Sequence, residues 1–218
     1  MKLAKVFWVA VLLLIAIPVA SATDPKNSDF FISPWRLGMT RDQVIAEKEF
    51  GPYQPVKVTG GVETFDAQFD GRKTNVSFVF DDADALSYIQ VWKYEGPDFD
   101  KASKAAEQVF DFFQNRFGGA QIFGVNDSRL LDKKTFMAAI AAALGHAPLL
   151  FERVENEKKA VGTMFLDVTP KVQPGNCRLH SQLIYSGKFK TFYVLLFQDF
   201  PNAPSRQAPG LIQYEIER

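Results

Sequence analysis

The chain has 218 residues, in which 25 Lys and Arg balance 25 Asp and Glu. A net charge near zero gives no electrostatic attraction to nucleic acid or to anionic lipid, so neither is expected as a partner. The single cysteine, Cys177, cannot form an internal disulfide. We expect it to be a buried free thiol, with a dimer bridged through it as the alternative. Burial of apolar side chains must then stabilise the fold, and the 21 Phe are the main supply.

The N-terminus has the pattern of an export signal. Two lysines precede an apolar run from Val6 to Ile17, which is shorter than the about 20 residues that span a bilayer. Ala20-Ser21-Ala22 then offers the small residues that a signal peptidase reads. We expect residues 1–22 to be cleaved near Ala22. The mature protein is expected to be periplasmic or secreted, with no direct membrane span.

A short helix is predicted after Gly38-Met39-Thr40. The Thr40 hydroxyl can accept a hydrogen bond from the backbone N–H of Gln43, and the Gln43 side chain can accept from the N–H of Thr40. Gly51 is expected to end the helix in a left-handed conformation, and Pro52 prevents its continuation.

The period changes from helical to two after Gly60. Three strands joined by tight turns are predicted within residues 63–96, and they form an antiparallel meander. The alternation predicts that Tyr88 and Trp92 lie on the side of the third strand away from the core. The inward positions are predicted to be Phe65, Ala67, Phe69, Val76, Phe78, Phe80, Ile89 and Val91.

The second half repeats this order without a residue-level repeat. A long amphipathic helix is predicted over 98–117, with Gly118-Gly119 as its stop, and another helix ends at Gly145. Residues 120–131 and 146–163 are expected to be irregular. Strands return in the segments 163–169, 177–186 and 188–200.

These elements predict an α+β fold in which helices pack on one face of antiparallel meander sheets, with two tandem helix-plus-sheet modules as one arrangement. The predicted boundaries are a signal peptide (1–22), a helix-plus-meander module (23–96), a second helix and sheet module (97–200), and a Pro-rich connection with a C-terminal strand or tail (201–218).

Residues 33–95 resemble the BamE (SmpA/OmlA) family of small outer-membrane assembly proteins. The resemblance rests on Gly38-Met39-Thr40, Gly51-Pro52, the Phe-rich strand to Phe80, the polar turn 81–85 and the apolar strand to Val91. The same layout occurs in tandem in proteins that look like the β-lactamase inhibitory protein, which bind enzymes with an open sheet face. Unlike most family members, this chain lacks a lipid-bearing Cys near the cleavage point. Its residues 97–218 also have no counterpart in single-module members.

The sequence contains few residues in an arrangement that could catalyse a reaction or bind a metal ion. Cys177 and His180 are three residues apart, so on a strand they point to opposite faces and do not form a nucleophile–base pair. His146 has no partners at metal-ligand spacing and is expected just past a helix end. The acidic turn at Asp81 lacks the glycine and glutamate of a calcium loop. We expect no catalytic residues, no metal and no cofactor.

Amphipathic aromatic side chains are the better candidates for function, because such residues are enriched where proteins bind each other. Packing against the helix layer is the alternative for each, and it is favoured for Trp35 and Trp92. The sequence therefore predicts an exported protein-binding module of the bacterial envelope, either an assembly or scaffold factor or an enzyme inhibitor or immunity protein. The other class considered is a small ligand-binding protein or a Cys/His hydrolase with a pocket between the modules. The candidate interface residues are Trp35, Tyr53, Tyr88, Trp92 and Tyr94.

Overall fold

A computed structural model describes residues 32, 34–57, 59–123, 132–156 and 162–201. The predicted signal peptide (1–22) and the predicted tail after Pro201 lie outside these residues, and so does most of the segment before Trp35.

The protein is an α+β protein built on one eight-stranded antiparallel sheet, as the fold-class prediction has it in general terms. The strand order is β1-β2-β3-β4-β8-β7-β6-β5. The strands are β1 (Gln54–Val56), β2 (Gly61–Phe69), β3 (Arg72–Phe80), β4 (Leu86–Gly96), β5 (Ala120–Phe123), β6 (Thr163–Pro170), β7 (Arg178–Ser186) and β8 (Thr191–Asp199).

Four α-helices and one 3₁₀ helix accompany the sheet in the described part of the chain. They are α1 (Arg41–Ile45), the 3₁₀ helix (Lys48–Phe50), α2 (Phe99–Phe117), α3 (Lys133–Leu144) and α4 (Ala147–Asn156). As predicted, α2 ends at Gly118, whose φ of 73° is left-handed, and α3 ends at Gly145. Asp98 and Asp132 cap α2 and α3 by accepting hydrogen bonds from backbone N–H groups of the first turn.

The capping prediction at Thr40 is confirmed. The Thr40 hydroxyl accepts from the N–H of Gln43, and the Gln43 side chain accepts from the N–H of Thr40 at 2.9 Å. The predicted stop at Gly51 is wrong, because α1 ends at Ile45 and Gly51 is extended (φ −78°). The chain instead passes through the 3₁₀ helix, and Gly51 leads out of it toward β1.

The inward side of β2 differs from the prediction at one residue. A β-bulge lies between Thr64 and Ala67, so that Phe65 and Asp66 together face Asn75 of β3. Ala67 and Phe69 are buried as predicted, but Phe65 is 52% exposed on the other side of the sheet. The strict alternation fails because the bulge inserts one residue, which a single strand's sequence does not reveal.

Other inward positions follow the alternation. Val76, Phe78, Ile89 and Val91 are buried, and Phe80 packs against them. Three elements were not predicted: β1, β5 and α4. Both strands are short and lie at the sheet's edges, and α4 falls within a segment that was expected to be irregular.

The two sets of strands join through β4 and β8. Val91 lies opposite Leu196, and Trp92 opposite Leu195. The two meanders therefore form one sheet, with the long central strands hydrogen-bonded to each other.

Candidate functional site

Side chains on the sheet alternate between two faces, and the apolar residues of the two faces form separate clusters. The first cluster combines strand residues such as Phe78 and Val194 with residues of α2 and α3, among them Phe113 and Phe136. We call this side the first face. The second cluster, on the second face, consists of Val79, Tyr88, Ile184, Tyr193, Leu195 and Phe197, with Trp92 packed against it.

The second cluster draws its described members only from β3, β4, β7 and β8. Its aromatic rings lie in contact: Tyr88 and Phe197 are 6.3 Å apart between centroids, and so are Trp92 and Tyr193. The His180 ring stacks on Phe197 at 4.8 Å. The second face thus carries a small core of its own, made by side chains from both meanders.

One line of residues crosses the second face at right angles to the strands. The register places Asn75 opposite Trp92, Trp92 opposite Leu195, and Leu195 opposite Gln182. Gln182 is in turn opposite Asp167. We call these five residues the transverse row. At about 4.8 Å per strand it extends about 19 Å.

Buried polar atoms without a hydrogen-bond partner concentrate on this face. Within the described residues there are four such side-chain atoms, and three belong to the second face: Asn75 Oδ1, Asp167 Oδ1 and His180 Nδ1. A buried polar atom that lacks a partner costs free energy, and native proteins contain few of them. Asn75 and Asp167 belong to the transverse row, and His180 lies beside it.

A buried ion pair closes one end of the second face. The Arg178 guanidinium donates to both carboxylate oxygens of Asp199, at 2.9 and 2.5 Å. Asp199 is 6% exposed and also lies opposite Tyr88. Such a two-point pair fixes the register of β7 against β8.

Cys177 and His180 are separated by the sheet, as predicted. Cys177 is buried in the first cluster, whereas His180 lies opposite Phe197 on the second face. Burial lowers the pKa of His180 below 6.5, an effect that Asp199 opposes and Arg178 reinforces. The imidazole is therefore neutral at pH 7, and this thiol and this imidazole do not form a nucleophile–base pair.

Of the five predicted interface residues, three lie on the first face: Trp35, Tyr53 and Tyr94. Trp35 is fully buried, with the rings of Phe50 and Phe78 each 4.8 Å away, which is the packing alternative favoured for this residue. Its indole N–H donates to the carbonyl of Val44. Tyr53 is half-buried in the same core, and its hydroxyl donates to the Glu47 carbonyl at 2.9 Å. Burial raises the pKa of Tyr53 to about 12.

Tyr88 and Trp92 share the second face, as predicted. Tyr88 is only 5% exposed, so it packs within the second cluster and is not accessible to a partner. Trp92 is half-buried and donates its indole N–H to the Ser77 hydroxyl at 3.0 Å. Tyr94 lies on the first face, where its hydroxyl accepts from the N–H of Asp98.

Sequence reasoning missed two exposed aromatic residues of the second face. Phe65 reaches it through the bulge, and Phe165 of β6 lies opposite Ile184 and is 43% exposed. The alternation in 163–169 could have indicated Phe165, since it is out of phase with buried Val168. Nothing local to β2 indicates the bulge.

The described residues offer little for other chemistry. They contain no group of three or more His, Cys, Asp or Glu that could hold a metal ion. The meanders meet strand to strand through β4 and β8. A space of about 10 Å³ between α2, α3, β7 and β8 is too small for more than one water molecule.

One helical stretch, Lys133–Arg153, is long and apolar enough to cross a membrane by length and composition. It includes α3, the turn at Gly145 and most of α4. Phe136, Ile140 and Leu144 are buried in the first cluster, but most of the stretch is not buried. A single stretch of this kind is weak evidence for a membrane span.

Comparison with protein-family models, with curated proteins and with solved structures finds no significant match to this chain. The resemblance of residues 33–95 to the BamE family therefore stays a prediction.

Proposed function

We propose that this chain is an exported, non-enzymatic protein-binding module of the bacterial cell envelope, and that its second face docks the partner. In this proposal the helices cover only the first face, and the chain consists of two tandem helix-plus-sheet units joined through β4 and β8. Export by the signal peptide 1–22 to the periplasm, or out of the cell, is part of the same proposal.

The second cluster is the observation that carries the proposal. It puts aromatic and aliphatic side chains on a side of the sheet to which no described helix contributes. Two exposed phenylalanines, Phe65 and Phe165, flank it, with Trp92 half-buried between them. Protein interfaces gain much of their affinity from rigid aromatic side chains that lie beside well-packed apolar residues.

The strand order supports the tandem arrangement. Each half runs from a short edge strand, β1 or β5, to a long central strand, β4 or β8, and the two halves mirror each other across the β4–β8 junction. In each half a helix precedes the strands, α1 in the first half and α2 in the second. The two helices match only loosely, since α1 has five residues and α2 has 19.

Site-specific photocrosslinking in the native host tests the docking face. A photoreactive amino acid is placed at Phe65 or Phe165, and the matched control is Leu149 of α4, which is 67% exposed. We expect one defined adduct from positions 65 and 165 and none from 149. Equal adducts from all three positions, or none from the second face, would contradict the proposal.

The identity of the adduct separates the two versions of the function. An assembly or scaffold factor is expected to crosslink to an outer-membrane complex and to co-purify with it. An inhibitor or immunity protein is expected to crosslink to one soluble enzyme and to reduce that enzyme's rate when both are purified.

Cell fractionation with mass spectrometry tests the export step. The mature chain is expected in the periplasm or the medium without residues 1–22. A full-length chain retained in the cytoplasm would contradict the location and leave the docking face to be judged by crosslinking alone.

A further inference from the structure

A cleft rich in basic residues lies away from the second cluster, on the α2 side of the sheet. It encloses about 250 Å³ and is lined by the start of β3, the end of β4 and the N-terminal half of α2. Its lining residues include no Asp or Glu. The five basic ones are Arg72, Lys73, Lys93, Lys101 and Lys104.

The fold brings these residues together from three separate elements. β3 begins beside the end of β4, since Asn75 lies opposite Trp92. Lys101, Lys104 and Gln108 recur at helical spacing, so they line one side of α2. The Tyr94 hydroxyl accepts from the N–H of Asp98 at 3.0 Å and holds the start of α2 over the end of β4.

Only two of the five positive charges are neutralised by ion pairs. Lys73 pairs with Asp66 at 2.8 Å, and Lys101 with Asp98 at 3.5 Å. Arg72, Lys93 and Lys104 make no ion pair within the described part of the chain. A local excess of three charges is notable in a chain whose total charge is zero.

Lys93 is unfavourably placed in this cleft in the absence of an anion. Burial lowers the pKa of Lys93, which Asp70 opposes and Arg72 reinforces. The Lys93 ammonium lies 4.8 Å from the centre of the Phe69 ring, which offsets only part of the burial cost. Lys101 is in the first turn of α2, where the helix dipole disfavours a positive charge.

We infer that this cleft binds a small phosphate-type anion that carries two or more negative charges. The Arg72 guanidinium offers a fork of donors, and Lys93 and Lys104 supply single donors from two sides. The Gln108 amide is a further donor in the lining. The volume accommodates about eight water molecules at ~30 Å³ each, which is enough for a diphosphate group.

Calorimetric titration with inorganic pyrophosphate at low salt tests the inference on the mature chain. We expect Lys93→Met and Lys104→Gln each to weaken binding about tenfold, as for loss of a charged hydrogen bond. Lys104 is exposed, so its variant should fold normally. The matched control is Lys171→Gln, which removes one exposed positive charge in the other half of the sheet and should change affinity less than twofold.

Two further measurements identify the source of the anion and the residue that binds it. Vesicles of phosphatidylcholine with and without phosphatidic acid test a lipid phosphomonoester as the source. Binding to those vesicles with the same Lys104 dependence, in place of pyrophosphate, would assign the phosphate to a lipid headgroup. Saturating pyrophosphate should also raise the pKa of Lys93, observed by NMR of its side chain.

Three results would overturn the inference. They are no binding of either probe, equal weakening by Lys171→Gln and Lys104→Gln, or binding that leaves the Lys93 resonances unchanged. Since the cleft shares no lining residue with the second cluster, loss of partner crosslinking at Phe65 would not affect this result.

Discussion

The two faces of the sheet bury apolar side chains in different ways. On the first face, strand residues such as Phe69 and Phe192 pack against α2, and the resulting cluster draws on β2 to β8 together with α2 and α3. On the second face a smaller cluster forms at the β4–β8 junction, and its described members all belong to strands. The first face also has few unpaired polar atoms, whereas three of the four in the described residues lie on the second.

The first face thus holds the residues whose packing stabilises the fold, and the second face holds those that we propose bind a partner protein. A face that is packed by helices gains its stability from volume and ring contacts within the chain. A face with buried but unpaired polar atoms carries a free-energy cost that the first face largely avoids. Each of the following experiments tests whether the two faces differ in this way.

The largest effect is expected from Phe78→Ala on the first face. Phe78 is fully buried against Trp35 and Tyr53, so the change should lower the free energy of unfolding by about 3–5 kcal/mol, measured by urea denaturation. The exposed Phe65→Ala is the control and should cost less than about 0.5 kcal/mol. Similar losses from both would remove the distinction between core and surface.

A smaller loss is expected from Leu195→Ala at the centre of the second face. Leu195 is fully buried but is surrounded mainly by side chains of neighbouring strands, and we expect a loss of about 2–4 kcal/mol in the same measurement. A loss below about 1 kcal/mol would mean that the second cluster is not a packed core in solution.

Breaking the buried ion pair should cost less again. Asp199→Ala removes both hydrogen bonds from Arg178, and we expect a loss of about 1–3 kcal/mol because Arg178 remains partly exposed. The control is Lys190→Met, which breaks an exposed pair with Glu155 and should leave the free energy of unfolding nearly unchanged. Equal costs would show that the pair on the second face is no different from a surface pair.

The smallest effect is a pH dependence from His180. Burial lowers the folded-state pKa of His180 below 6.5, so the folded protein binds this proton more weakly than the unfolded chain does. The folded state is therefore favoured where the imidazole is neutral in both states, above pH 6.5. That stability is lost as the pH falls from about 7 through 6.5 toward the lowered pKa, at no more than about 1.4 kcal/mol per pH unit for one proton. Urea denaturation between pH 5 and 8 should show a flatter profile for His180→Gln. Identical profiles would contradict burial of this imidazole.

Much of the first face could be predicted from the sequence. The capping of α1 by Thr40, the stripe of α2 ending at Gly118, and the inward positions of β3 and β4 all depend on residues within a few positions of each other. Such short-range chemistry is readable because capping and alternation act over one helical turn or one strand.

The candidate site could be predicted only in part. Tyr88 and Trp92 were placed on the correct face by alternation, but the burial of Trp35 depends on Phe50 and Phe78, which come from other elements. Phe65 reaches the second face through a bulge that exists only when β2 pairs with β3. The basic cleft likewise needs β3, β4 and α2 together.

The local elements and the apolar side of most strands can be read from the sequence, because they follow from contacts between near neighbours in the chain. The pairing of β4 with β8 joins residues about 100 positions apart and arises only when the whole chain folds. That pairing depends on the fit of two already formed meanders, and it creates both the single sheet and the cluster on its second face.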